Sequence, residues 1–237
     1  SGCSSLGAVT IPAGVTSISK YTFSGCTSLD AVTIPAGVTS ISKYAFSGCT
    51  SLGAVTIPAG VTSMGSAAFT DCTSPTFAVT FAPGSVLSII EENTFSGSGL
   101  KAIKIPLSVA SISTQAFARC ASLTSVQFDC KSTVTIVDDA FIGCDALLAV
   151  SLPSEATYEG TITQQALSCC GKGEYSKTGD STSGCVACAI GTFNAVEEAT
   201  SCQECPTGTY SESAERCSNC PVCTYQPALG ATSASAC

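Results

Sequence analysis

Apolar residues recur along the first two thirds of this chain with a period of about 23 positions, grouped within each period into two short alternating runs. Residues 23–45 read FSGCTSLDAVTIPAGVTSISKYA, residues 46–68 read FSGCTSLGAVTIPAGVTSMGSAA, and residues 1–22 are a near-identical copy. Looser copies of 22 to 26 residues start at Phe69, Phe95, Phe117 and Phe141. Val32 and Ile34 alternate around Thr33, the period-two signature of a strand with one face buried. Val9/Ile11, Val55/Ile57, Val79/Phe81, Ile103/Ile105, Val126/Phe128 and Val150/Leu152 repeat it. Pro12, Pro35, Pro58, Pro83, Pro106 and Pro153 then stop each strand, since proline has no N–H to give to a ladder. A second apolar pair follows (Val15/Ile18, Val38/Ile41, Val61/Met64), and a Phe fills the back corner. No copy can bury its own apolar face. The pattern therefore predicts a β-rich solenoid of about seven coils of 22–26 residues, its core made by stacking neighbours.

The motif L-x-x-V-x-I-P…V-x-x-I…A-F-x-x-C, carried over residues 1–170, resembles the BspA-like (Treponema-pallidum-type) leucine-rich repeat family. That resemblance implies a right-handed leucine-rich-repeat solenoid of the kind found in surface and secreted proteins that adhere or bind. Two copies depart from the pattern, by an insertion around Pro75–Phe77 and a shortening at Ser98–Gly99, and a bulge or bend is expected there.

Beyond Cys169-Cys170 the aliphatic strands vanish, and ten of the seventeen cysteines fall in the last 69 residues. A boundary is expected here, with the solenoid over residues 1–168 and a small disulfide-rich, extended module array over 169–237. Three segments share one pattern: Cys170-x-x-Gly-x-Tyr175, Cys188-x-x-Gly-x-Phe193 and Cys205-x-x-Gly-x-Tyr210, each arm ending at a further cysteine, Cys185, Cys202 or Cys217. Segments this short cannot build a core, so covalent staples are expected in its place: Cys170–Cys185, Cys188–Cys202 and Cys205–Cys217. Zinc is the competing reading. Cys185-x2-Cys188 and Cys202-x2-Cys205 lie near the spacing of a four-cysteine ribbon. Against it, the CxxC pattern runs on past four ligands, and a ribbon leaves the Gly-x-aromatic elements unexplained. The C-P-x-G-T-Y…C-x2-C arms resemble ephrin-receptor-like cysteine-rich repeats, and Cys217 to Cys237 resembles the middle of a tumour-necrosis-factor-receptor-type module. The latter resemblance implies a Cys220–Cys237 bond and leaves Cys223 without the partner of a full module. The chain thus reads as a fragment of something longer.

Composition narrows the chemistry. The chain has no histidine, which removes His-based nucleophile activation, an imidazole base and His-ligated metal. Only 11% of residues are charged, and nine basic against seventeen acidic residues give a net charge of −8. Nucleic acid and anionic membrane both call for basic patches and are not expected partners. No apolar run approaches the roughly 18 residues of a membrane span, so membrane insertion is not expected. Cysteines of the coils, Cys3, Cys26, Cys49, Cys72, Cys120 and Cys144, occupy one column broken at Ser98. They read as buried thiols more readily than as inter-coil disulfides, because equivalent Cβ atoms point in parallel. Cys130 stands off the column and is the candidate free or intermolecular thiol.

Thr10, Thr33, Thr56, Thr80, Lys104, Gln127 and Ser151 form the outward strand column and are the candidate contact face; a solvated strip of good strand formers is the plainer reading. Lys20-Tyr21 and Lys43-Tyr44 fall in register as a small second patch. The acidic pairs Glu91-Glu92, Asp138-Asp139 and Glu197-Glu198 read as solvated surface. No catalytic or cofactor-binding constellation emerges. The expectation is a non-enzymatic, extracellular or cell-surface repeat protein with protein or glycan partners. A structural building block of a filament, sheath or flagellar hair is expected, with an adhesin or receptor ectodomain as the alternative.

Overall fold

Each Val-x-Ile run forms a short strand, and equivalent strands of neighbouring coils pair in parallel two by two. The computed structural model describes residues 3–129, 132–137, 139–152, 157–158, 163–166, 174–175, 185–195, 201–220, 229–230 and 232–233. Cys130, Asp138, Pro153, Cys169, Cys170, Glu197, Glu198, Cys223 and Cys237, all named above, lie outside the described residues. The chain divides into two compact units, Ser1–Ala166 and Leu167–Cys237.

In the first unit one column of strands comprises Ala8–Thr10, Ala31–Thr33, Ala54–Ile57, Ala78–Phe81, Ala102–Lys104, Ser125–Gln127, Ala149–Leu152 and Thr163–Ala166. A second column comprises Ser17–Ile18, Ser40–Ile41, Ser63–Met64, Ile89–Ile90, Ser111–Ile112, Thr135–Ile136 and Thr157–Tyr158. Pairing keeps like with like: Val9 opposes Val32, Val55 opposes Val79, and Ile41 opposes Met64. The turn around each Phe adds a third line of inter-coil bonds, with Phe46 N donating to Ala68 O and Gly48 N to Thr70 O, both at 2.8 Å.

Between the columns the core is a stack of identical layers. Phe23, Phe46, Phe69, Phe95, Phe117 and Phe141 stack face to face, with successive centroids 5.1, 5.0, 5.8, 5.3 and 5.2 Å apart. Tyr158 closes the series edge-on to Phe141. All but Phe23 of these phenylalanines are essentially fully buried. Each stacked pair adds about 0.5–1.5 kcal/mol to the burial of the rings.

At the irregular copies, where a bulge or bend is expected, the second column is interrupted: Ser63–Met64 and Ile89–Ile90 belong to separate sheets. In the first column Ala54 pairs with Ala78 and Val55 with Val79, so there the insertion leaves strand register intact. It is taken up in the turn, where Phe77 N donates to Ser74 O at 3.0 Å and the Phe77 ring tilts against Phe69 at 6.1 Å. Phe77 thereby occupies the place of the Leu in the other copies. The shortening at Ser98–Gly99 lies directly against this longer turn: Gly99 N donates to Cys72 O at 2.9 Å, and a Cβ at Gly99 would run into the carbonyl oxygen of Ser74. A residue gained in one coil is matched by one lost in the next.

The cysteine column is a ladder of free thiols rather than disulfides. Cys49 Sγ donates to Phe23 O at 3.1 Å, Cys72 to Phe46 O at 3.2 Å, Cys120 to Phe95 O at 3.0 Å and Cys144 to Phe117 O at 3.0 Å. A thiol suits this column because it is small, packs as a hydrophobe and still donates weakly to a carbonyl that also accepts the backbone N–H three residues on, as Phe23 O does from Cys26 N. Ser98 stands in the column in its place, within 3.4 Å of Cys120 Sγ. Burial, helped by neighbouring Cys26, pushes the Cys49 thiol from 9.0 up to about 12, and burial lifts Cys72 well above its ordinary value. The hydrogen bond with Cys120, and then burial, raises Cys144 too.

The second unit is a series of antiparallel hairpins: Glu174–Tyr175 with Val186–Ala187, Thr192–Phe193 with Gln203–Glu204, and Thr209–Ser213 with Arg216–Asn219. Gly191 and Gly208 of the second and third Gly-x-aromatic elements serve the turn into the hairpin, with φ of 90° and 79°.

Two outcomes follow from this packing. Gly99→Ala should lower stability by about 1–3 kcal/mol in urea unfolding, because the Ser74 backbone it meets cannot move aside. Gly14→Ala, whose Cβ meets nothing within 4 Å, should stay within about 0.5 kcal/mol of the parent. The thiols set a pH dependence. An unfolded cysteine ionises near 9.0 while Cys49 in the fold holds its proton to about 12, so stability is level below pH 9 and falls as pH rises towards 12. Cys49→Ala should make that fall shallower, and alkylation mapped by mass spectrometry should find exposed Cys3 labelled in the native protein but Cys49 and Cys72 only after unfolding.

Candidate functional site

The strand that buries Val32 must present Ala31 and Thr33 on its other face, and every coil repeats this. Thr10 pairs with Thr33, Thr56 with Thr80, Lys104 with Gln127, and Ser151 with Gln165. Thr10, Thr33, Thr56, Thr80, Lys104 and Gln127 are all exposed. They form one straight row, as the sequence column implies.

Beside it runs a second row that the reading of the sequence passed over. Ala8, Ala31, Ala54, Ala78 and Ala102 are exposed one pleat away, with Ser125 half-buried at the end of the row. Its signal was available: in A-V-T, the residue two before each Thr points the same way. Alanine was overlooked because it reads as filler, not as a contact residue. The face is thus two side chains wide, small, and charged only at Lys104. Apart from Lys104 and Gln127, such a surface offers methyl groups and hydroxyls; its competence is to pack.

In the cysteine-rich unit Cys188 is bonded to Cys202 and Cys205 to Cys217, each with Cα atoms 5.7 Å apart. Cys185 and Cys220 are disulfide-bonded as well; the partners expected for them, Cys170 and Cys237, are outside the described residues. The zinc alternative fails on this geometry. Of the four sulfurs a ribbon would need, Cys188 and Cys202 are tied to each other and Cys205 to Cys217, so none of the three is available as a thiolate. Among the described residues, no group of three or more acidic or cysteine side chains is placed to hold a metal ion, and no helix is long and apolar enough to cross a membrane. Of the acidic pairs, Glu92 is exposed and held by Asn93 at 3.1 Å, while Asp139 accepts from Gln115 at 3.4 Å.

Comparison with known proteins agrees with this architecture. Six copies of the BspA-type leucine-rich repeat region match residues 1–81 and 78–183, and a tyrosine-protein kinase ephrin type A/B receptor-like repeat matches residues 173–215. Among solved structures, a leucine-rich repeat protein from Eubacterium ventriosum is 27% identical with a TM-score of 0.57, the match covering 67% of this chain and 44% of that one. This chain therefore spans less than half of that relative's length. The T. pallidum leucine-rich repeat protein TpLRR shares the fold at 22% identity and a TM-score of 0.51, over 69% of this chain and 76% of that one. No curated protein sequence matches. With both the coil geometry and a family match over most of its length, the chain belongs to the BspA-type leucine-rich repeat family, whose repeats serve protein–protein interaction or a surface role.

Proposed function

We propose that this protein is a non-enzymatic extracellular building block that works through protein–protein contacts made by its outward strand face. The observation that carries the reading is the double row of Ala and Thr, exposed and repeated in register from coil to coil. Alanine loses no rotamer freedom when covered and threonine little, so a partner gains contact at small entropic cost. An extended segment or a second flat strand face laid along these rows meets the same pair of side chains at each coil. Near-identity of the first three copies suits such repetitive packing better than one tailored pocket. The disulfides of the second unit support an oxidising, extracellular setting. Absence of histidine from the sequence, and a face on which Lys104 is the one charged side chain among the described residues, support a role without catalysis.

A filament, sheath or flagellar hair is the assembly this face suits best; an adhesin or receptor ectodomain is the competing class. Negative-stain microscopy of the protein isolated from its source should show ordered fibrils containing this chain. Thr33→Arg with Thr56→Arg places two long cations in the row and should abolish fibrils while leaving the circular dichroism spectrum unchanged. Wild-type protein that remains dispersed and binds cell surfaces, or fibrils indifferent to the double substitution, would overturn the reading.

A further inference from the structure

The turn before each Phe builds a ridge along one edge of the solenoid, a dipeptide per coil: Lys20-Tyr21, Lys43-Tyr44, Ser66-Ala67, Glu92-Asn93 and Thr114-Gln115, then Asp139. Tyr21, Tyr44, Ala67, Asn93 and Gln115 share one left-handed backbone conformation, with φ between 54° and 62°, so they hold equivalent positions. Backbone bonds tie the ridge together: Tyr44 N donates to Ser66 O at 3.2 Å, Ala67 N to Glu92 O at 2.9 Å and Asn93 N to Thr114 O at 3.3 Å.

Charge along this ridge is sorted by sign. Lys20 and Lys43 are the only cations of residues 1–68, and both stand on it. Glu91 and Glu92 follow in the fourth coil and Asp139 in the sixth. The basic half is braced. Lys20 Nζ lies 4.8 Å from the Tyr21 ring and Lys43 Nζ 5.0 Å from Tyr44, while the two rings stack 5.1 Å apart at 3°. Tyr21 is nevertheless 52% exposed, an aromatic platform although Tyr44 stacks on it. The acidic half is held by amides, Asn93 on Glu92 and Gln115 on Asp139. Between the halves lie only the small side chains of Ser66 and Ala67. Among the described residues, no intramolecular ion pair joins any of these charges.

A ridge basic at one end and acidic at the other complements itself when reversed. We propose that it is a self-recognition surface through which two copies of this chain pair antiparallel, Lys20 and Lys43 of one facing Glu91, Glu92 and Asp139 of the other. The two-fold operation makes every contact twice, as in most homodimers. Parallel pairing would set like charges opposite each other. Lys20 and Lys43 are one coil apart, whereas Glu92 and Asp139 are two. With about 5 Å per coil in both copies, the register that sets Lys20 opposite Asp139 leaves Lys43 one coil, about 5 Å, from the level of Glu92, a gap its long side chain spans. A single exposed ion pair contributes little, but several in one array, around stacked tyrosines that lose little entropy on contact, act together. This surface is separate from the Ala/Thr face, and its pairing does not depend on that face's role.

Sedimentation velocity of the full chain tests it. Wild-type protein should dimerise at about 0.05 M salt and weaken by roughly tenfold or more at about 0.5 M. The variant Lys20→Glu with Lys43→Glu, and separately Glu91→Lys with Glu92→Lys and Asp139→Lys, should each be monomeric, because each gives the named ridge charges one sign. An equimolar mixture of the two should form a heterodimer, which neither misfolding nor a general charge effect produces. Thr33→Arg with Thr56→Arg should leave the dimer intact, separating this pairing from assembly through the strand face. A monomeric wild type at low salt, a dimer indifferent to either charge reversal, or a mixture that stays monomeric would overturn the proposal.

Discussion

Stacking at one inter-strand spacing per coil is the constraint on which everything in the solenoid depends. A coil of 22 to 26 residues has too little interior to fold alone, so each layer is completed by the next. Parallel pairing sets the distance, and the core must then be filled at that same distance. Phe rings do so because their stacked separations of 5.0 to 5.8 Å lie close to the strand spacing. The thiol column does so as well, each Sγ reaching the Phe carbonyl of the coil before it.

Departures from the repeat obey the same constraint and come in matched neighbours. Phe77 and its longer turn lie against the shortened turn at Gly99. Asp71 and Arg119 replace the glycine of the F-x-G-C motif while keeping its positive φ, at 56° and 57°. In each case the next coil has glycine there. A Cβ at Gly97 would collide with the Asp71 carboxylate, and one at Gly143 would sit 3.4 Å from Arg119 Cγ. Bulk in one layer is accepted because the adjoining layer withholds it.

The two units solve the problem of small size in opposite ways. The solenoid keeps Cys26, Cys49, Cys72, Cys120 and Cys144 reduced and buried as packing groups, whereas the hairpin array oxidises Cys185, Cys188, Cys202, Cys205, Cys217 and Cys220, because two- to five-residue strands bury little. Low charge and small outward side chains leave the solenoid with surface to present and little chemistry to perform. Its functional interest therefore lies in faces and edges repeated at the coil spacing.

The repeat period, the inward Val-x-Ile alternation, the Phe and Cys columns and the outward Thr column were all legible in the sequence, because each depends on spacing along one coil. Arm-by-arm pairing of Cys188 with Cys202 and of Cys205 with Cys217 lies within the same local reach. Relations across coils were not legible. Nothing local marks Tyr21, Tyr44 or Gln115 as left-handed, since the strain is imposed by the turn's bonds to the next coil rather than by residue preference. The compensation of Ser74 by Gly99 and the sorting of charge along the Lys20-to-Asp139 ridge likewise exist only once the coils are stacked. Sequence determined what one coil is made of; tertiary structure decided what stands beside what, because residues about 23 apart become neighbours at about 5 Å only through packing.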